Sequence, residues 1–261
     1  MADVKLPEFV TPDWPAAENI RAACTTRVGG YSQSPCDGFN LGLHVGDKKH
    51  HVASNRQLLI DSLSLPDAPF YLNQVHGTQL LCADDWTDQH GGAPIADACW
   101  SQSRNRVLAI MTADCLPVLF TSGCGSVIAG AHAGWRGLAE GVIENTVSGL
   151  PVPAAELMAW LGPAIGPDKF EVGAEVKASF VSRDEASAKH FAPLSVCDES
   201  ASTGGKYLAN LYGLARDKLH SLGVSRVYGG DECTYTDAGR FFSHRRDKGK
   251  TGRMAALIWK V

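Results

Sequence analysis

Apolar positions along this chain recur at two periods, and the change from one to the other marks out the predicted elements. Residues 106–111 and 126–132 are short, nearly unbroken apolar runs bounded by turn residues, the pattern of strands buried on both faces. From 135 to 150 the period lengthens: Leu138, Val142, Ile143, Val147 and Leu150 recur at helical spacing and Pro151 stops the run, which predicts one helix. His132 then falls at a strand-to-helix turn. A further strand is predicted at 157–161, running into the Gly/Pro-rich loop GPAIGPDKFEVG with a short helix after it. Residues 51–63 have helical composition and end before the turn-prone SLPDAP. Residues 207–222 predict another helix, with Leu208, Leu211, Ala215 and Leu222 near one face and Gly223 as its stop. SRVYGG and MAALIWKV predict final strands.

Strands and helices alternate in the middle of the chain but not at its ends. That order favours a mixed-sheet α/β or α+β fold over a regular doubly wound parallel sheet. No repeat, low-complexity tract or Ser/Gly linker divides the sequence, so one domain spanning residues 1–261 is expected.

Composition narrows the function classes. Hydrophobic residues make up 44% and charged residues 20%, an ordinary globular balance. Lys plus Arg number 24 against 28 Asp plus Glu, for a net charge of -4, so no global basic field draws nucleic acid or an anionic membrane. A small-molecule substrate is the better expectation. The longest membrane-span candidate, around VLAIMTADCLPVLF, is interrupted by Asp114 and Pro117. The eight cysteines (Cys24, Cys36, Cys82, Cys99, Cys115, Cys124, Cys197 and Cys233) include no CxxC pair. MADVKLPEFVTPDW has neither a basic n-region nor an apolar h-region, so reduced thiols in the cytoplasm are expected.

Three segments set a soft or borderline ligand among turn residues: NQVHG with His76, TADCLP with Cys115 and AHAGWRG with His132. Thiolate and imidazole together suit zinc, and three protein ligands leave the fourth position open, as in catalytic sites. The gaps of 39 and 17 residues match no local zinc signature. Each residue also has a plain structural role available: His76 in a turn, Cys115 as a small buried hydrophobe, His132 as a capped histidine. The neighbourhood favours a site, because Asp114 would be costly in a strand interior and the small residues of HAGWRG let backbone approach whatever occupies the turn. Further polar candidates are Arg27 in TTRVGG, Asn40 in FNLG, Gln74, Asp97 in IADA and Arg136. An Arg beside a Gly turn at a helix start suits a phosphate or carboxylate clamp. The basic run FFSHRRDKGKTGR reads as a solvated loop, and GKTGR lacks the P-loop spacing.

TTRVGG, FNLG, NQVHG, MTADCLPVLF, HAGWRGLAEGV, WLGPAIGP, FEVG, GGDECTYT, FFSHRRD and TGRMAALIW, taken together and in order, resemble the YfiH family of bacterial proteins from about Cys24 to Trp259. The resemblance implies a single α/β sandwich of mixed sheets covered by helices. It also implies zinc held by two histidines and a cysteine, which map onto His76, Cys115 and His132. Its implied activity is phosphorolysis of purine nucleosides (adenosine, inosine, guanosine, methylthioadenosine), together with adenosine deamination. The same family carries a laccase or multicopper polyphenol oxidase label, a link to editing of peptidoglycan precursors, and a structural grouping with cysteine hydrolases of the toxin-deamidase type.

The oxidase label fails on arithmetic. A multicopper oxidase needs about ten His with Cys for its blue and trinuclear sites. This chain has nine His, no HxH pair, and His50, His51, His90, His190 and His220 in apparent loops or on helix surfaces. Copper bound adventitiously at the same three ligands remains compatible, since copper outcompetes zinc for them. A Cys115 thiolate with His132 as base would make a nucleophile dyad, a role close to exclusive with metal binding. For the phosphorylase, Arg27 or Arg136 is expected to hold phosphate, and Asp114 or Asp97 to protonate the leaving base. For deamination, zinc would activate water for attack at the purine C6. The substrates expected are thus a purine nucleoside and phosphate. An amidase or hydrolase acting on cell-wall precursors is the second class, and a non-enzymatic metal-binding protein the third.

Overall fold

Strand residues alternate between two hydrophobic layers, and that alternation sets the architecture of the computed structural model, which describes residues 5–87, 91–194 and 205–261. His90 and Cys197 lie outside the described residues. In chain order the strands are β1 (Phe9–Val10), β2 (Ile20–Thr25), β3 (Phe70–Tyr71), β4 (Leu80–Cys82), β5 (Ala98–Ser101), β6 (Val107–Thr112), β7 (Leu116–Ser122), β8 (Ile128–Ala133), β9 (Leu157–Leu161), β10 (Glu171–Val172), β11 (Phe191–Pro193), β12 (Tyr207–Ala209), β13 (Arg226–Gly229) and β14 (Met254–Lys260). The helices are α1 (Lys49–Leu63), α2 (Trp135–Glu140), α3 (Val142–Gly149), α4 (Ala174–Val181) and α5 (Leu211–Ser221).

Two mixed sheets stack face to face, one of five strands in the order β1-β2-β14-β6-β3 and one of six in the order β13-β9-β7-β8-β5-β4. Three short strands, β10-β12-β11, form a third sheet. In β6, Leu108 and Ile110 face the six-stranded sheet and meet Leu119, Ile128 and Trp160. The alternate residues Val107, Ala109 and Met111 face outward onto Leu59 of α1 and onto Phe39 and Leu41 of the loop before it. On the far side of the second sheet, Val118, Phe120, Ala129 and Ala131 pack against Val142, Ile143 and Val147 of α3 and Leu214, Ala215 and Leu219 of α5. Helix, sheet, sheet and helix form successive layers, and the central strands read as continuous apolar runs because both of their faces are buried. No helix of the described residues is long and apolar enough to cross a membrane.

Two helix expectations need correction. The segment 135–150 is two helices, because Gly141 adopts φ +105°, ψ 33° between α2 and α3, a conformation that breaks the hydrogen-bond run and favours glycine. The segment 207–222 begins as strand β12, which pairs with β10 and β11, and Leu208 lies in that strand. Helix α5 starts only after Asn210, whose side chain caps the amide of Gly213 at 2.9 Å. The strands at 106–111, 126–132 and 157–161 and the final pair are present within a residue or two of their expected ends.

One buried side chain fixes the long loop ahead of α1. Asn55 of α1 accepts the amide of Tyr31 at 2.8 Å and donates to Ser32 Oγ, the carbonyl of Gly38 and the carbonyl of Asn40. It has no exposed surface. Replacing it with Ala strands these groups without water, so Asn55→Ala is expected to cost about 3 kcal/mol in a urea unfolding curve. A midpoint shift no larger than that of an exposed-site Ala substitution on the same helix would refute this role.

Candidate metal centre

The end of β6, the start of β7 and the end of β8 meet where the gap between the two sheets opens. Leu116 of β7 pairs with Ala133 of β8, which sets the turn Ala113–Asp114–Cys115 beside Gly134. His132 lies on the same face of β8 as Ile128, so its ring enters the inter-sheet side at that opening, 3% exposed. His76 reaches the same place from the loop after β3. The ligand atoms of His76, Cys115 and His132 all lie within 4.8 Å of one another, and Cys115 Sγ is 3.9 Å from His76 Nε2. The two imidazole rings meet edge to face, with centroids 4.8 Å apart.

The donor set fits zinc. Ordinary Zn–N and Zn–S bonds in a tetrahedron hold ligand atoms about 3.3–3.7 Å apart, so the observed spacing closes on an ion with a small contraction. Gly134 leaves room for the convergence: a Cβ there would lie 3.0 Å from Cys115 Sγ, 3.1 Å from His76 Cδ2 and 3.5 Å from His132 Cε1.

Asp97 organises the cluster from beneath. Its carboxylate is wholly buried and takes His132 Nδ1 at 2.8 Å, leaving Nε2 as the ligand nitrogen. The same carboxylate accepts the amides of Val75, His76 and Gly77 at 3.1, 2.9 and 2.7 Å. Three successive amides around one anion make a nest, and holding it requires His76 at φ +62°. Burial opposes ionisation of Asp97, yet His132 and the Gly77 and Val75 amides outweigh it and hold the carboxyl below its usual range. A carboxylate so engaged is a poor proton donor, which argues against the expectation that Asp97 protonates a leaving base.

Asp114 is engaged in the same way. Its oxygens accept Thr234 Oγ1 at 2.6 Å, Ser243 Oγ at 3.0 Å and the amide of Arg245 at 2.6 Å, with the backbone at φ +89°. It anchors FFSHRRD beside Cys115, so that segment is not a freely solvated loop. Arg246 within it donates to the carbonyls of Thr234, Tyr235 and Phe241. Asn40 and Gln74 likewise spend their polar groups on backbone. Asn40 Oδ1 accepts the amides of Gly42 and Arg253, and Gln74 exchanges two 2.8 Å hydrogen bonds with Met111. Arg27 lies over the Phe242 ring and donates to the carbonyl of Ala238. Arg136 is exposed and stacks on Trp135. Arg253, within TGRMAALIW, also interacts electrostatically with Cys115. Thr234 and Ser243, the side-chain partners of Asp114, also went unnoticed, because only the fold brings GGDECTYT and FFSHRRD to one carboxylate.

Electrostatically, Cys115 and His132 are a coupled pair. Burial pushes the thiol up, but the charge and hydrogen bond of His132, joined by His76, bring it down to about 6. Burial pushes His132 down, and Cys115 together with Asp97 carries it above the ordinary histidine value. Metal-free protein therefore presents a thiolate beside an imidazolium.

A family model described as multi-copper polyphenol oxidoreductase laccase matches residues 21–261. The chain is 45% identical over 254 residues to an Escherichia coli (strain K12) protein named purine nucleoside phosphorylase YfiH, covering 97% of this chain and 99% of that one. It is 46% identical over 251 residues to a Pseudomonas aeruginosa protein also named purine nucleoside phosphorylase, covering 96% and 98%. Among solved structures it is similar to a Neisseria meningitidis protein, with TM-score 0.88, 46% identity and coverage of 97% and 98%. YlmD from Geobacillus stearothermophilus superposes with TM-score 0.80 at 31% identity, covering 94% and 93%.

Two measurements check the centre. In chelator-treated protein, thiolate absorbance assigned to Cys115 should titrate near pH 6, and His132→Ala should move that titration upward toward the ordinary thiol value of 9.0. The direction follows from removing the cation that stabilises the thiolate. An unchanged titration would mean His132 does not set the thiol's ionisation. Asp97→Asn should weaken zinc affinity about 10- to 100-fold in a competition titration, since it removes the charge that orients His132 and collects the His76 loop. Wild-type affinity in that variant would sink the positioning role.

Proposed function

Because the chain belongs to the YfiH family, whose model carries the multi-copper laccase description, we propose that it is a zinc-dependent purine nucleoside phosphorylase with adenosine deaminase activity. The observation that carries the reading is the His76, Cys115 and His132 cluster, oriented by Asp97 at the open end of the inter-sheet gap. Support for the nucleoside substrate comes from the names of relatives that cover nearly the whole chain. Among the described residues one group of His, Cys, Asp and Glu is spaced to hold a metal, and nine histidines in all fall short of a four-copper oxidase.

His76, Cys115 and His132 would hold the zinc, which supplies Lewis-acid stabilisation of negative charge at the open coordination position. His132 is fixed in one tautomer by Asp97, so its ligand nitrogen needs no reorientation. Cys115 is ionised near neutral pH and needs little proton loss to bind. His76 is exposed and borders the entry, and Val75 beside it is an apolar surface at the rim, 55% exposed. That rim suits the flat face of a purine.

A second reading rests on the same atoms. Cys115, His132 and Asp97 stand in the order of a nucleophile, base and orienting carboxylate, which would serve a cysteine hydrolase or a cell-wall amidase. Metal and nucleophile compete for one sulfur lone pair, so turnover as a function of bound zinc separates them.

The test is a product assay on protein carrying about one zinc per chain, as three ligands and an open position require. Adenosine with phosphate should yield adenine and ribose 1-phosphate, and without phosphate it should yield inosine and ammonia. Both activities should disappear in His76→Ala while the fold persists by circular dichroism. Turnover that rises on zinc removal would overturn the metal-dependent reading in favour of the hydrolase.

A further inference from the structure

The phosphorylase reading needs a residue to hold its anion; Arg27 and Arg136, whose sequence context suggested the task, lie over the Phe242 and Trp135 rings. Arg253 is placed differently. Met254 pairs with Thr112 at the end of β6, so Arg253 lies one step beyond, alongside the turn that carries Asp114 and Cys115. Its main chain is sewn to the loop after β2: the amide donates to Asn40 Oδ1 at 2.8 Å and the carbonyl accepts Leu41 N at 3.1 Å. Gly42 clears the way for the side chain, because a Cβ there would sit 2.8 Å from Arg253 Cγ.

The guanidinium is under-used. One nitrogen, Nη1, donates to the carbonyls of Thr251 and Gly252, at 3.1 and 3.0 Å. Nε and Nη2 have no acceptor among the described residues, and Arg253 forms no ion pair with any of them. Burial pulls the group below the usual arginine range, and interaction with Cys115, Cys36 and Asp114 opposes that pull. Burial, followed by the charges of Arg253 and Arg56, holds His44 below its ordinary value. Arg253 has Cys115 and Asp114 as electrostatic neighbours yet forms no ion pair with a described residue, and a half-buried cation with two free donors suits a tetrahedral oxyanion.

We infer that Arg253 is the phosphate-binding residue of this site, presenting its free Nε and Nη2 edge to the anion across from Cys115, with His44 at the outer rim. The inference rests on the phosphorylase reading. In that reaction a hydrogen phosphate oxygen bonds to the anomeric carbon as the glycosidic C–N bond breaks. The electron pair leaves with the purine, which takes the proton that hydrogen phosphate brought, and the products are free base and sugar 1-phosphate. Arg253 holds the nucleophile on the open side of the metal cluster and keeps its charge from being repelled by the Cys115 thiolate.

The experiment measures phosphate KM, nucleoside KM and inorganic phosphate binding by calorimetry in wild type, Arg253→Lys, Arg253→Gln and a control, Arg21→Gln, at the opposite end of the sheet where Arg21 pairs with Trp259. The contacts that hold the loop come from the main chain of Arg253, so both variants should fold, and thermal melts check this. Losing a charged hydrogen-bond pair should raise phosphate KM about tenfold or more in Arg253→Gln, with a smaller rise in Arg253→Lys, and nucleoside KM near wild type. Phosphate KM equal to wild type in folded Arg253→Gln overturns the inference and leaves the phosphorylase reading standing. A wild type that binds phosphate but performs no phosphorolysis, with binding lost in Arg253→Gln, supports the anion site while ending that reading. Calorimetry showing no phosphate binding to wild type overturns the inference.

Discussion

The buried carboxylate of Asp97 is the interaction on which the site depends. Alone in the gap between two sheets it would be strongly disfavoured, and four donors from two distant segments remove that cost. By accepting three successive amides it bends the 75–77 loop into a nest and sets the His76 ring against Cys115 and His132. By taking Nδ1 of His132 it points the other nitrogen at Cys115. The two histidines are thus oriented by one anion, and a change at Asp97 propagates to both.

The scaffold makes this affordable because it is rigid on either side. Central strands β6, β7 and β8 are buried on both faces, and their alternating residues lock into two separate apolar layers. Left-handed backbone at His76 and Asp114, at about 1–3 kcal/mol each, persists only where the surroundings over-determine it. His76 gives its amide to the Asp97 carboxylate and Asp114 carries an engaged carboxylate of its own, one residue before Cys115. Strain of this kind is a mark of a site built for geometry rather than for stability.

Charge is arranged with the same economy. Asp97 and Asp114 are occupied by amides, hydroxyls and an imidazole, so neither is free to shuttle protons. The thiolate of Cys115 takes its stabilisation from His132 and His76 and stands ready for either metal or electrophile. Arg253 supplies positive charge from a third direction, carried by the start of the last strand. Ligands, orienting anions and cation come from different sheets and loops, which lets the pocket hold opposite charges close together without their collapsing into simple ion pairs.

Read alone, the sequence determined the elements whose burial pattern is local. The apolar runs of β6, β8, β9 and β14, the helical composition of α1 and the turn context of His76, Cys115 and His132 all follow from side-chain periodicity and composition within a few residues. Family motifs added the pairing of those three ligands, which their sequence separation alone did not. Tertiary structure decided the rest. It broke the helix at Gly141, where a backbone conformation and not an apolar pattern was at issue, and it drew residues 207–209 into a sheet whose partners lie far away in the chain. It also gave the polar candidates their partners: Asn40, Gln74, Asp97 and Asp114 bind backbone and neighbouring side chains. A polar residue's role depends on which donors and acceptors surround it after folding, and those neighbours come from segments up to 213 residues apart, as between Asn40 and Arg253.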